Sequence, residues 1–320
     1  MSTRTLINSP FVWLIRRELW EHRLIQRGPL LLLAVIGISS LASLLNPHHT
    51  ILNIDTSDWM MNDEPIELRM VFAVAAAISI LSMVFLVLAA SQQVFYCADA
   101  LHSERMQRTI LFWKSLPVGD TETVLSKLVV ATFVIPMFAL AAAFATALIL
   151  ALVASVEFRA LPGALAALWS PGAWLNAARM MVYVTVTGAL WLVPVNAWFL
   201  LVSAWLPLTR GRLGRSPLLA ATALPLLAML VEKIVLGTNH IMNLVSGRVA
   251  FAGYEHAAFA SPFRLDSDAD LHGRQLGEVV SAVMTPGGFL FSSGLWAGLA
   301  FGALCAAGAI YCRRRSEDRG

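Results

Sequence analysis

The sequence predicts an all-α membrane protein with six transmembrane helices and both termini in the cytoplasm. Three observations predict it: six sustained apolar runs, a one-sided distribution of basic residues, and a composition too apolar for water. Charged residues make up 13% of the chain, about half the roughly 25% of soluble domains, while apolar residues reach 58%. Mean hydropathy is +0.70. Six spans of about 20 residues or more consume nearly half of a 320-residue chain. One membrane domain over residues 1–320 is therefore expected, with little room for a soluble one.

The apolar runs are Gly28 to Leu45, Met70 to Ala90, Leu128 to Val156, Met180 to Leu206, Pro217 to Leu236 and Gly287 to Cys312. As helices, each is long enough to cross about 30 Å of hydrocarbon. A β-barrel would show alternating polarity, which these runs lack. The fifth run is interrupted by Glu232 and Lys233, read either as snorkelling to the outer interface or as substrate contacts. Pro136, Pro194 and Pro225 fall inside the third, fourth and fifth runs, where they free carbonyls and bend helices. Asn196 adds an amide near the second of them.

Orientation follows from the basic residues. Arg4, Arg16, Arg17, Arg23 and Arg27 precede the first span. Arg105, Arg108, Lys114 and Lys127 join the second to the third, Arg210, Arg212 and Arg215 the fourth to the fifth, and Arg313, Arg314, Arg315 and Arg319 end the chain. Sixteen of the 23 Lys and Arg thus share one side, which reads as cytoplasmic. The first outer loop is acidic, with Asp55, Asp58, Asp63, Glu64 and Glu67. The net charge of +3 is spent at the membrane edge and does not argue for a nucleic-acid partner. The basic start imitates a secretory signal, but no small-residue cleavage site follows Leu45, so the segment is expected to stay as an anchor. Cys97, Cys305 and Cys312 lie in or beside apolar segments and read as reduced thiols without a metal or redox role.

Two segments on the basic side carry more information. Over Phe11 to Gln26, Phe11, Val12, Ile15 and Leu19 share one arc of a helix, with Arg17, Glu18 and Glu21 largely on another and Trp13 and Trp20 at headgroup level. The pattern suits a helix lying in the inner interface, or a short helix covering the inner face of the bundle. The second-to-third connection displays the apolar cluster Ile110, Leu111, Phe112, Trp113, which a mere linker does not need. Pro117 and Gly119 break the helix, Asp120 is placed to cap the next one, and Glu122 suits its N-terminal end. A short helix ending near Leu116 would then protrude as a docking knob. The bland alternative places Phe112 and Trp113 against lipid at the inner interface.

These features resemble the permease subunits of ABC-2 type transporters. The resemblance rests on Arg16, Arg17 and Glu18 before the first span, Glu104-Arg105 followed by Thr109, Leu116-Pro117-Val118, and Lys127 entering the third span. It implies a single ABC-2 type transmembrane domain in a bacterial inner membrane, with a coupling helix between spans two and three that fits a groove on a separate ATPase. Under it, Glu104, Arg105, Arg108, Thr109, Phe112, Trp113, Leu116 and Pro117 contact the ATPase or brace that contact. The implied partners are the ABC ATPase, which would bind ATP and magnesium, and a second permease copy or a paralogue. The outer segment 237–286 is longer than the family often has and is expected to form short outer helices or a small lid.

Chemistry of the chain's own is not expected. No GxxxxGK[ST] phosphate loop, HExxH helix or GxSxG elbow occurs, so neither ATP hydrolysis nor a membrane protease or lipase is predicted, and no cofactor is called for. His48-His49 lack a third metal ligand at useful spacing. The competing functional reading is a membrane anchor that recruits a cytoplasmic partner and transports nothing.

Overall fold

The computed structural model describes residues 10–45, 66–106, 119–157, 159, 162–206, 216–249, 251, 254, 258 and 284–315. Their architecture is helical, and six helical segments are long and apolar enough to cross a membrane: Leu24–Ser43, Ile80–Met106, Asp120–Val156, Pro171–Trp205, Pro217–Leu236 and Ser293–Arg315. This is the build of a multi-pass membrane protein.

The first four spans are longer than their apolar runs, the fifth matches its run and the sixth starts later, at Ser293. A short helix α1 (Pro10–Glu21) leads into α2 (Leu24–Ser43), and α3 runs from Ile66 to Ala100 before the single-turn α4 (His102–Met106). The run of apolar residues stops at Ala90, yet α3 continues through Gln92, Gln93, Tyr96 and Asp99. Three of these face neighbours, while Asp99 is exposed: Gln92 donates to the Leu24 carbonyl at 3.1 Å, Tyr96 OH donates to Glu18, and Gln93 accepts a hydrogen bond from Asn196 Nδ2 at 3.0 Å with both buried. The third span likewise starts early, as α5 (Asp120–Val129), and passes through a π-helical turn over Val130–Val134 into α6 (Ile135–Glu157). Pro136 supplies the reason for the turn. It has no N–H and crowds the carbonyl four residues back, so the helix widens, and the Ile135 N–H bonds to the Val130 carbonyl.

After α7 (Pro162–Leu168), α8 (Pro171–Trp205) is about 52 Å long. It is the most enclosed of the spans, with Met181, Leu192, Asn196, Leu200 and Ser203 buried along one face, while Leu175, Val182 and Val186 are exposed. Helix α9 (Pro217–Val231), α10 (His240–Val249), α11 (Pro286–Leu290) and α12 (Ser293–Arg315) complete the order. Pro194 and Pro225 sit inside α8 and α9, neither of which they divide.

Lipid gives helices no hydrophobic drive to associate, so close packing decides which ones meet. Helix α12 turns Gly298, Gly302, Ala306 and Ala309 toward the bundle. A Cβ at Gly302 would stand 3.2 Å from Val193 Cγ1 and 3.5 Å from Pro194 Cα, so the α8 backbone occupies the space a side chain would need. The main core lies between α3, α5, α6 and α8 and includes Phe85, Leu101, Val124, Ile135, Met181 and Leu200. Cys97 and Cys305 are buried in the bundle, and Cys312 is half-buried, all three as free thiols.

At the end of the bundle opposite α1, the segment after α9 folds back onto α8. Glu232 is 5% exposed. Its carboxylate accepts from Thr238 Oγ1 at 2.8 Å and from the backbone N–H groups of His240 and Ile241 at 2.6 and 2.8 Å. It caps α10 from outside that helix. Arg248 then stacks on Trp191, 3.8 Å from the ring centroid, and donates to the Trp191 carbonyl at 3.2 Å and to the Gly294 carbonyl. Phe251, Tyr254 and Phe289 pack around the same tryptophan, and Tyr254 OH meets Thr187 Oγ1 at 2.8 Å. Arg248→Ala is expected to release α10 from α8 and α12, which limited proteolysis of the protein in micelles would register as faster cleavage within 237–258.

Candidate functional site: a buried charge cluster at the base of the bundle

Where α1, the end of α3, α4, α5 and the end of α12 converge, three buried cations meet two buried glutamates and the partly buried Asp120. Glu104, on α4, is the hub. Its Oε1 accepts from Arg17 Nη2 at 2.9 Å and Lys127 Nζ at 3.1 Å, and its Oε2 accepts from Arg313 Nη1 at 2.9 Å. Glu18 Oε1 takes Arg17 Nη2 at 2.8 Å and Lys127 Nζ at 2.9 Å, while its Oε2 accepts from Tyr96 OH at 2.9 Å. Arg313 Nε closes the network on Asp120 Oδ1 at 2.7 Å. Lys127 and Glu18 are each 1% exposed, and Glu104 is 6% exposed.

Local sequence places these groups. On α1, Leu14, Arg17 and Glu18 share the buried face, while Val12, Trp13, Arg16 and Trp20 face outward. Helix α5 starts at Gly119, whose N–H is met by Glu122 Oε2 at 3.4 Å and whose carbonyl accepts from Thr123 Oγ1 at 3.2 Å. Asp120 was expected to cap this helix. Standing one residue inside it, Asp120 instead pairs with Arg313, and Glu122 does the capping. One turn deeper, Thr123, Val124, Ser126 and Lys127 form the buried face that carries the ammonium to both glutamates.

A second set of bonds fixes the end of α8 to the same region. Ser203 Oγ accepts the backbone N–H groups of Leu101 and His102 at 3.2 and 2.9 Å, anchoring the turn that starts α4. Arg105 Nη1 donates to the carbonyls of Ala204 and Leu206 at 2.6 and 3.0 Å, setting a cation at the negative end of α8. Glu104 and Arg105 therefore hold α4, from which segment 107–118 continues, to two different parts of the bundle. The other candidates, Arg108, Thr109, Phe112, Trp113, Leu116 and Pro117, lie outside the described residues, as do His48 and His49.

Burial disfavours the charge on Glu18, but Lys127 and Arg17 outweigh it and hold the carboxyl below the usual carboxylate range. Burial likewise opposes the Arg17 charge, and Glu18, Glu21 and Glu104 more than compensate. A carboxyl lowered on folding stabilises the fold at every pH above its unfolded value, about 4.3 for Glu, and loses that contribution as pH falls through the folded value. The Glu18 contribution is therefore expected to be flat from pH 5 to 8 and to vanish only below about pH 4. Melting of the wild type compared with Glu18→Gln across that range checks this.

A metal has little claim on the cluster. Glu18, Glu21 and His22 bring ligand atoms within 4.8 Å of one another, but both Glu18 oxygens are already taken by Arg17, Lys127 and Tyr96. At Oε2, the oxygen 3.7 Å from His22 Nε2, a cation would have to displace the Tyr96 hydroxyl and sit beside Arg17 and Lys127.

Arg17, Glu18, Glu104 and Lys127, which carry the family resemblance in the sequence, come together in the structure. Arg313, in the sequence one of four tail charges that set orientation, joins them, as does Tyr96, which no sequence pattern marks. Lys127 at the edge of an apolar run, on a helix whose other buried residues are small or polar, was the available signal for a buried cation. Compared with known proteins, the chain matches no family model, no curated protein and no solved structure. Six membrane-length helices around this cluster make the protein a multi-pass membrane protein in build.

Proposed function

We propose that the chain is the permease subunit of an ATP-driven ABC-2 type exporter, with the charge cluster on the cytoplasmic side and segment 107–118 as the coupling helix that docks on a separate ATPase. The ATPase would bind ATP and magnesium, and a second permease copy or a paralogue would complete the membrane pathway. One observation carries the reading: the two ends of segment 107–118 are clamped into the same buried network, Glu104 on one side and Asp120 with Lys127 on the other. A linker between two spans needs no such mounting. A segment that must pass on a push does, because force applied to it is delivered at once to α1, α3, α5 and α12. The basic residues concentrated at this end support a cytoplasmic placement through the positive-inside rule.

The apolar Phe112 and Trp113 would supply affinity, with Arg108 and its neighbours setting register. Phe112→Glu or Trp113→Glu is then expected to weaken recruitment of the partner ATPase by at least about tenfold, the cost of losing one aromatic anchor. Co-purification of the tagged full chain with that ATPase measures it. Unchanged recruitment by both variants would favour the non-transporting anchor with some other partner.

A further inference from the structure

The outward face of α1 is unlike its buried one and belongs to no contact described above. Trp13, Arg16, Trp20, Arg23 and Arg27 are exposed and recur at three- and four-residue intervals, so they form one stripe across the junction into α2. The junction preserves that register, since His22, Ile25 and Arg27 N–H groups bond back to Glu18, His22 and Arg23 carbonyls at 2.9, 3.0 and 3.0 Å. The Arg16 guanidinium carbon lies 5.1 Å from the centre of the Trp20 ring. Between residues 10 and 45 the only acidic residues are Glu18, which is buried, and Glu21, which Arg17 Nε meets at 3.4 Å. Three arginines are thus left facing out with no acid among them.

The stripe continues directly into Leu24, Leu30, Leu31, Val35, Ile38 and Leu41 of α2, each more than half exposed. Apolar side chains so placed on a span face hydrocarbon, which puts the basic and aromatic stripe just beyond it, at the depth of the lipid headgroups. Tryptophan favours that depth, and guanidinium groups bind phosphate with bidentate geometry. We propose that Arg16, Trp20, Arg23 and Arg27 form a binding site for the phosphate-bearing headgroup of an anionic phospholipid. Occupancy would hold α1 against the membrane while its other face, two residues away at Arg17 and Glu18, enters the charge cluster. The site does not depend on the chain being an exporter.

The test uses full-length protein in neutral detergent, titrated with phosphatidylglycerol or with phosphatidylcholine of the same acyl chains, and reads lipid retention by native mass spectrometry. A basic residue near an anionic surface is worth about fivefold, so three together give roughly a hundredfold preference for phosphatidylglycerol over phosphatidylcholine. R16Q/R23Q/R27Q is expected to lose most of it and Arg23→Gln about fivefold. Both should melt with the wild type, because these side chains lie outside the buried cluster. Equal retention of the two lipids, or an undiminished preference in the triple variant, would overturn the site. Displacement of phosphatidylglycerol by equimolar inorganic phosphate would show a site for the free anion and not for lipid. Unchanged lipid preference together with lost ATPase recruitment would show a protein dock instead.

Discussion

Glu104→Gln is expected to destabilise the protein by about 3–5 kcal/mol, the cost of removing one partner from a buried ionic network. The effect is large because Glu104 is shared. Its two oxygens receive Arg17, Lys127 and Arg313, and without its charge three buried cations lose the one carboxylate that all of them share. Glu21→Gln, at a half-exposed carboxylate on the margin of the same network, should stay within about 0.5 kcal/mol. Thermal unfolding in micelles compares the two. Removing a cation together with the anion restores the balance, so E104Q/R313Q should be less destabilised than the sum of its single variants, with a coupling of about 0.5–3 kcal/mol. Simple additivity would mean that the two side chains do not share a network.

Gly302→Leu is the second large effect expected. The α12 backbone approaches α8 at Val193 and Pro194 closely enough that a first carbon already meets atoms at 3.2 and 3.5 Å. Three further carbons have nowhere to go without separating the helices, and overpacking of this kind costs about 1–3 kcal/mol or more. Gly302→Ala should cost much less, because Val193 can yield by a few tenths of an ångström. Gly298→Ala probes a different neighbour: its Cβ would meet the Arg248 guanidinium, the far end of a flexible chain. The same melting measurement separates the cases, and equal behaviour of the Ala and Leu variants at 302 would contradict the packing described.

The six spans were legible because hydrocarbon demands long apolar helices and nothing else satisfies the backbone there. Their ends were not. Helix α3 continues past Ala90, and the third span begins at Asp120, because polar residues in those turns are paired inside the bundle and a hydropathy reading treats them as loop. The capping role of Glu232 was hidden for a related reason. Its partners are the backbone N–H groups at 240 and 241, which no side-chain pattern announces.

The charge cluster was half visible. Arg17, Glu18, Glu104 and Lys127 stood out as charged residues beside spans, but the pairing of Glu104 with Arg313 closes a separation of 209 residues. One sequence gives no sign of which of Arg313, Arg314 and Arg315 turns inward. The structure resolves that choice through helical phase, since Arg313 continues the buried face of Gly302, Ala306 and Ala309 on α12.

The proposed mechanism turns on transmission of a push through Glu104, and spin-label distances test it most directly. The protein would be reconstituted with the ATPase proposed as its partner, with Cys97, Cys305 and Cys312 replaced and one label placed at Trp169, exposed at the end of the bundle away from the cluster. If the second subunit is another copy of this chain, as the first of the two proposed arrangements has it, trapping ATP on the ATPase should shift the distance between labels on the two copies in the wild type. In Glu104→Gln the ATPase should still bind while that shift is lost. A label distance that never responds to ATP, or responds equally in both proteins, would contradict the mechanism.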